Sequence, residues 1–240
     1  MASMDPAGSA SLSLSALLAR PDIRRGGELA RVASASVPTG FFQLDAELPG
    51  GGWPTGCLTE LLPQHEGIGE LRVLGPALAT LSREGKRLAW IAPPHLPYAP
   101  ALDAAGIALD QLLIVRTASN RDALWATEEA LRSAACGAVL VWPATAKYAA
   151  LRRLQLAAER GRAIALLFRS PDVAMQPSPA ALRLALRTAA GGITVEILKR
   201  RGALCERPIV VTLDRPHATV DRAVPAEPAA RGADALAGCA

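Results

Sequence analysis

The chain has 240 residues, half of them hydrophobic, a fifth charged and only 4% aromatic, a balance that suits one globular α/β domain with an aliphatic core and short appendages. A net charge of +4 falls well short of a polybasic binder, and Cys57, Cys136, Cys205 and Cys239 form no C-x-x-C pair, so neither a zinc site nor a disulfide framework is supported. With no signal-peptide pattern at the N-terminus and no apolar run of membrane-spanning length, a cytoplasmic protein with no membrane association is expected.

In chain order, residues 1–36 begin with a small, polar stretch, Met1 to Ser11, expected to be disordered. A short helical arm follows from Leu12 to Val32, carrying Leu14, Leu17, Leu18 and Leu29 around a break at Pro21. Val37 to Gly56 is dense in glycine and proline and reads as an ordered lead-in loop without a periodic element. A core over 37–213 then alternates short apolar runs with amphipathic segments. Strands are predicted at Cys57 to Leu62, Arg87 to Ala92, Leu112 to Arg116, Ala138 to Trp142 and Ala163 to Arg169. Helices are predicted between them at Glu70 to Arg83, Ser119 to Ser133 and Lys147 to Arg160, the last with Leu151, Leu154 and Ala158 on one stripe. After Pro179 the period changes to two: Leu182, Leu184 and Leu186 alternate with Arg183, Ala185 and Arg187, and Ile193, Val195 and Ile197 repeat the pattern beyond a Gly191-Gly192 turn. These are expected to be antiparallel strands, with a last strand at Pro208 to Leu213 and a flexible tail over 214–240.

The series V-P-T-G-F-F-Q-L-D-A-E-L-P-G-G-G-W-P-T-G from Val37 to Gly56, followed by a strand and a helix, resembles the way RecA-family proteins enter their ATPase core. R-E-G-K-R-L-A-W-I from Arg83 to Ile91 is similar to the next RecA strand with its approach, and the order of segments continues the likeness to about Leu213. The resemblance implies a RecA-like, doubly wound, mostly parallel sheet flanked by helices, with antiparallel strands added near the C-terminus.

Against that pattern, the parts that hydrolyse a nucleotide are missing. A phosphate loop G-x-x-x-x-G-K-[ST] works because backbone N–H groups cradle phosphates, a lysine neutralises them and a hydroxyl holds magnesium. Here Pro63 to Glu70 reads P-Q-H-E-G-I-G-E. Pro63 removes a donor, no lysine follows Gly67 and Gly69, and Glu66 and Glu70 bring negative charge, so the two glycines read as a tight strand-to-helix turn. The residue at the magnesium-acid position is Trp142, followed by Pro143. The stretch A-P-P-H-L-P-Y-A-P, Ala92 to Pro100, offers no acid to orient a water, and His95, without a partner acid nearby, reads as a loop or core histidine. No catalytic residue, cofactor or metal is assigned, and an enzyme is not expected.

The segments where RecA carries DNA-binding loops are short. The remaining candidates for phosphate contact are Lys147, Arg152 and Arg153 on one helix and Lys199, Arg200 and Arg201 at a strand end, with solvated charges as the simpler reading. Weak or indirect DNA contact is therefore expected. Among RecA-like proteins that lack the phosphate loop, the chain is most similar to the ImuA family. That resemblance implies a non-catalytic accessory of SOS-induced, error-prone translesion synthesis, a mutagenic branch of the DNA-damage response. Its partners would be ImuB, an error-prone C-family DNA polymerase and RecA, with the arm docking on a RecA-like partner and the tail ordering on ImuB. The alternative is a SulA-like SOS inhibitor that blocks cell division by binding FtsZ.

Overall fold

A computed structural model of the chain describes residues 35–202 and 207–213. The arm expected at Leu12 to Val32 and the tail expected from Asp214 lie outside the described residues, as do Cys205 and Cys239.

The strands form where short apolar runs are bounded by turns. They are β1 Ser36–Val37, β2 Trp53–Pro54, β3 Cys57–Pro63, β4 Arg87–Ile91, β5 Leu112–Val115, β6 Cys136–Val141, β7 Ile164–Phe168, β8 Leu182–Ala189, β9 Gly192–Lys199 and β10 Ile209–Thr212. The α-helices are α1 Phe42–Glu47, α2 Glu70–Arg83, α3 Ala99–Ala104, α4 Asn120–Arg132 and α5 Tyr148–Gly161. Strands β1 and β2 pair by themselves. The other eight make one sheet in the order β10-β9-β8-β3-β7-β6-β4-β5. From β8 to β5 every neighbouring pair is parallel, whereas β9 pairs antiparallel with both β8 and β10.

A central parallel strand is covered on both faces, so it reads as a continuous apolar run. Every residue of β3 and β7 is buried accordingly. On one face Leu61, Leu88, Leu140 and Leu166 pack against Val73, Leu74 and Leu78 of α2 and Leu44 of α1. On the other, Leu58, Ala89, Val139 and Leu167 pack against Ala123 and Leu131 of α4 and Leu151, Leu154 and Ala158 of α5. Helices therefore flank both faces of a mostly parallel mixed sheet. The Leu182 and Ile193 alternations form the β8–β9 hairpin. Gly191 adopts φ +76° in its turn, and a Cβ on Gly192 would stand 2.0 Å from the Val211 carbonyl oxygen of β10.

The structure departs from the sequence expectations at three places. Val37 to Gly56 is not free of periodic structure, since it holds α1, β2 and the last residue of β1; Thr39 N–H donates to Asp45 Oδ1 at 2.8 Å, and Leu44 and Leu48 are buried. Helix α3, not predicted in sequence, begins at the end of the Ala92 to Pro100 stretch, with proline at its first turn, where a missing N–H costs nothing. Arg183 does not alternate outward with Arg187 but is buried.

Helices α4 and α5 meet closely at Gly161, where a Cβ would lie 1.8 Å from the Leu131 carbonyl oxygen. Gly161→Ala should therefore force the two helices apart and cost about 1–3 kcal/mol, read from the midpoint of urea denaturation. An unshifted midpoint would contradict this packing.

Candidate functional site

Because β3, β4, β6 and β7 run in the same direction, the segments that follow them gather along one edge of the sheet, the edge where α/β proteins generally place ligands. The first is the turn from β3 into α2. Gln64 N–H still bonds to the Leu186 carbonyl, and successive groups on a strand point to opposite neighbours. The N–H that Pro63 lacks would therefore point towards β7, beyond the last rung there, in which Arg169 N–H donates to the Leu61 carbonyl. A proline inside a central strand is tolerated for that reason. Gly67 and Gly69 adopt φ +78° and +104°.

At the first position of α2, Glu70 folds its carboxylate back over this turn. Gly67 N–H donates to Oε1 and Gly69 N–H to Oε2, each at 3.1 Å, and the residue is only 8% exposed. A helix N-terminus with free backbone donors attracts an anion. Here the chain supplies one from its own sequence.

Trp142 follows β6 on the same edge. Its ring stacks on Phe168 with centroids 4.4 Å apart and planes at 4°, and tilts against Trp90 at 5.9 Å. It packs on the same core as Ile68 and Leu71 of the turn and α2. An apolar indole held this way supplies no oxygen to a cation. His95 does have an acid close by, contrary to the sequence reading: its Nε2 lies 3.5 Å from Glu66 Oε2, with both side chains well exposed. Among the described residues no group of three or more His, Cys, Asp or Glu could hold a metal. No helix among them is long and apolar enough to cross a membrane.

The six candidate phosphate contacts separate. Lys147 precedes α5 and lines a cavity of about 600 Å³ at the strand-end edge, together with Tyr148, Leu151, Arg169 and Val173. Arg153 points elsewhere and pairs with Glu128 of α4 at 3.4 Å. Arg152 instead joins Lys199, Arg200 and Arg201 around a smaller concavity of about 240 Å³, with Gln155, Glu159 and Pro179. Lys199 Nζ donates to the Ser178 carbonyl, and Arg200 pairs with Glu47 at 3.0 Å. Both described cysteines are buried free thiols; burial pushes Cys57 and Cys136 up from the ordinary thiol range, against the opposing charges of Arg201 and Arg87 respectively.

Sequence reasoning missed the central polar cluster. Glu60, fully buried in β3, accepts from Arg183 Nε at 2.7 Å, from Arg169 Nη1 at 3.1 Å and from Ser178 Oγ at 2.7 Å. The two guanidiniums reach on into the loops: Arg169 donates to the Ala146 carbonyl, and Arg183 to those of Val173, Ala174 and Gln176. One carboxylate thus ties both loops of the larger cavity to the sheet. The signal was present, since a charge inside a seven-residue strand covered on both faces requires a buried partner.

Comparison with known proteins places the chain near two groups. A family model described as "Cell division inhibitor SulA" matches residues 56–165, from the start of β3 into β7. Cell division inhibitor SulA of Edwardsiella piscicida is 34% identical over 100 residues, 42% of this chain and 60% of that protein. SulA of Photorhabdus laumondii subsp. laumondii is 31% identical over 112 residues, 47% of this chain and 63% of that protein. Protein RecA of Symbiobacterium thermophilum is 30% identical over 119 residues, half of this chain and 34% of that protein. The chain thus spans about three fifths of these SulA relatives and a third of RecA, and it shares a SulA-like and RecA-like region with them.

Glu60 lies inside the SulA match, whereas Arg169 and Arg183 lie beyond it. Removing one partner from a buried ion cluster leaves an uncompensated charge. Arg183→Met should cost about 3–5 kcal/mol in urea denaturation and open residues 170–178 to limited proteolysis. A loss below about 1 kcal/mol with unchanged protease resistance would show that the cluster does not hold these loops.

Proposed function

We propose that this chain is a non-catalytic, cytoplasmic protein of the SOS response to DNA damage, with a RecA-like body that works by docking on other proteins. The observation that carries this reading is the Glu70 carboxylate on the N–H groups of Gly67 and Gly69. A triphosphate entering this turn would have to displace a buried anion from the donors it needs, without a lysine to neutralise it. Trp142, packed between Phe168 and Trp90, would give magnesium no ligand. The turn from Pro63 to Glu70 is in this reading a degenerate phosphate loop, and the scaffold around it remains as a recognition surface.

Inhibition of cell division through FtsZ is the first specific reading, supported by the SulA match over residues 56–165. Assembly with ImuB and an error-prone C-family polymerase in translesion synthesis is the second. In that reading β8, β9 and β10, which lie past the SulA match and extend the sheet, add docking surface. RecA is a further docking partner in that reading.

Light scattering of GTP-driven FtsZ polymerisation, run with equimolar protein and no added ATP, separates the two. Loss of polymer is the expected result for a SulA-like inhibitor. Unaffected polymerisation together with retention of ImuB in a pull-down selects the mutagenesis role instead. A protein that neither alters FtsZ nor retains ImuB contradicts both docking roles.

A further inference from the structure

The concavity around Arg152 lies on the opposite edge of the sheet from the Glu70 turn. Strand β9 runs against β3, and its last residue, Lys199, pairs with Arg183 beside the middle of β3; Arg200 and Arg201 continue past it towards the strand's beginning. Helix α5 contributes Arg152, Gln155 and Glu159 from above. Four cations therefore converge from two elements that are distant in sequence. Of the acids nearby, Glu47 pairs with Arg200, and Glu159 accepts from Gln155 Nε2 at 3.0 Å. Crowding like charges into a concavity costs repulsion, which an external anion relieves.

We infer that the Arg152, Lys199, Arg200 and Arg201 concavity binds the phosphodiester backbone of a nucleic acid. Its walls favour phosphate over an acidic peptide. Guanidinium forks match phosphate and carboxylate oxygens alike, but a peptide would also need an apolar pocket to anchor a side chain, and the apolar lining is limited to Pro179, Ala180 and Ala181, with Ala180 wholly buried. The site is independent of the choice between FtsZ and ImuB, because it uses neither the Glu70 turn nor the strand-end loops. It would give a docking protein a sequence-independent hold on DNA.

The test is fluorescence anisotropy of the full chain with a fluorescein-labelled oligo(dT) of about 30 nucleotides, across a salt series, with the double variant Arg152→Glu/Arg201→Glu and the control Arg153→Glu. Arg153 sits one residue away on the same helix but pairs with Glu128, so Arg153→Glu reads surface charge alone, and a pure charge effect would give it about half the double variant's loss in log affinity. The expected result is at least about a tenfold loss of affinity for the double variant, a fall of about 1.4 in the slope of log affinity against log salt, and a much smaller change for Arg153→Glu. A loss in log affinity from Arg153→Glu of half the double variant's or more would reduce the effect to net charge and overturn the site. So would unaltered binding by the double variant, absence of binding by the natural chain at low salt, or competition by poly-glutamate as strong as that by unlabelled oligo(dT) of equal charge. Far-UV circular dichroism of each variant confirms that a loss is not unfolding, since both substituted arginines are exposed.

Discussion

A carboxylate closing a turn is the contact on which the rest of this protein's chemistry depends. Backbone donors at Gly67 and Gly69, aimed by left-handed φ angles at the start of a fourteen-residue helix, form an anion site whatever the protein does with it. Glu70 fills that site from within and, being nearly buried, does so without competition from solvent. The charge also favours the positive end of the α2 dipole, so the contact that occupies these donors also supports the helix. A turn of this kind is stable as it stands and has no need of a ligand to order it.

A second carboxylate, ten residues earlier on the same strand-helix unit, has a different task. Glu60 sits at the centre of the sheet and reaches the strand-end loops through Arg169 and Arg183. Such a cluster contributes less to net stability than its distances suggest, because three charged groups must leave water. Its effect is conformational: the loops that line the larger cavity are fixed by side chains rooted in β3, in β8 and at the residue just past β7. The two acids together turn the strand-end edge into a fixed surface, closed at the turn and braced at the loops.

The alternation of apolar runs with amphipathic segments was legible in the chain, and so were α2 and the β8–β9 hairpin, because period and turn glycines act locally. The start of β6 at Cys136 instead of Ala138 and the start of α5 after Lys147 differ from expectation only at the ends, where fraying and capping decide. What stayed hidden was set by distant partners. Arg183 looked like the polar half of an alternating strand until β3 placed Glu60 beside it, and Glu66 found His95 across a loop. Helix α1 is joined to the residues before it by Thr39 N–H donating to Asp45 Oδ1 inside a glycine-rich stretch, a signal too short for periodicity to reveal. At the turn, composition showed that acids stood where a lysine would be needed; only the fold showed that Glu70 itself occupies the donors.

The most direct measurement is calorimetric titration of the full chain with magnesium-ATP. The internal carboxylate predicts no heat of binding up to millimolar nucleotide. Micromolar affinity accompanied by turnover, lost when Glu70 or Trp142 is replaced, would contradict it.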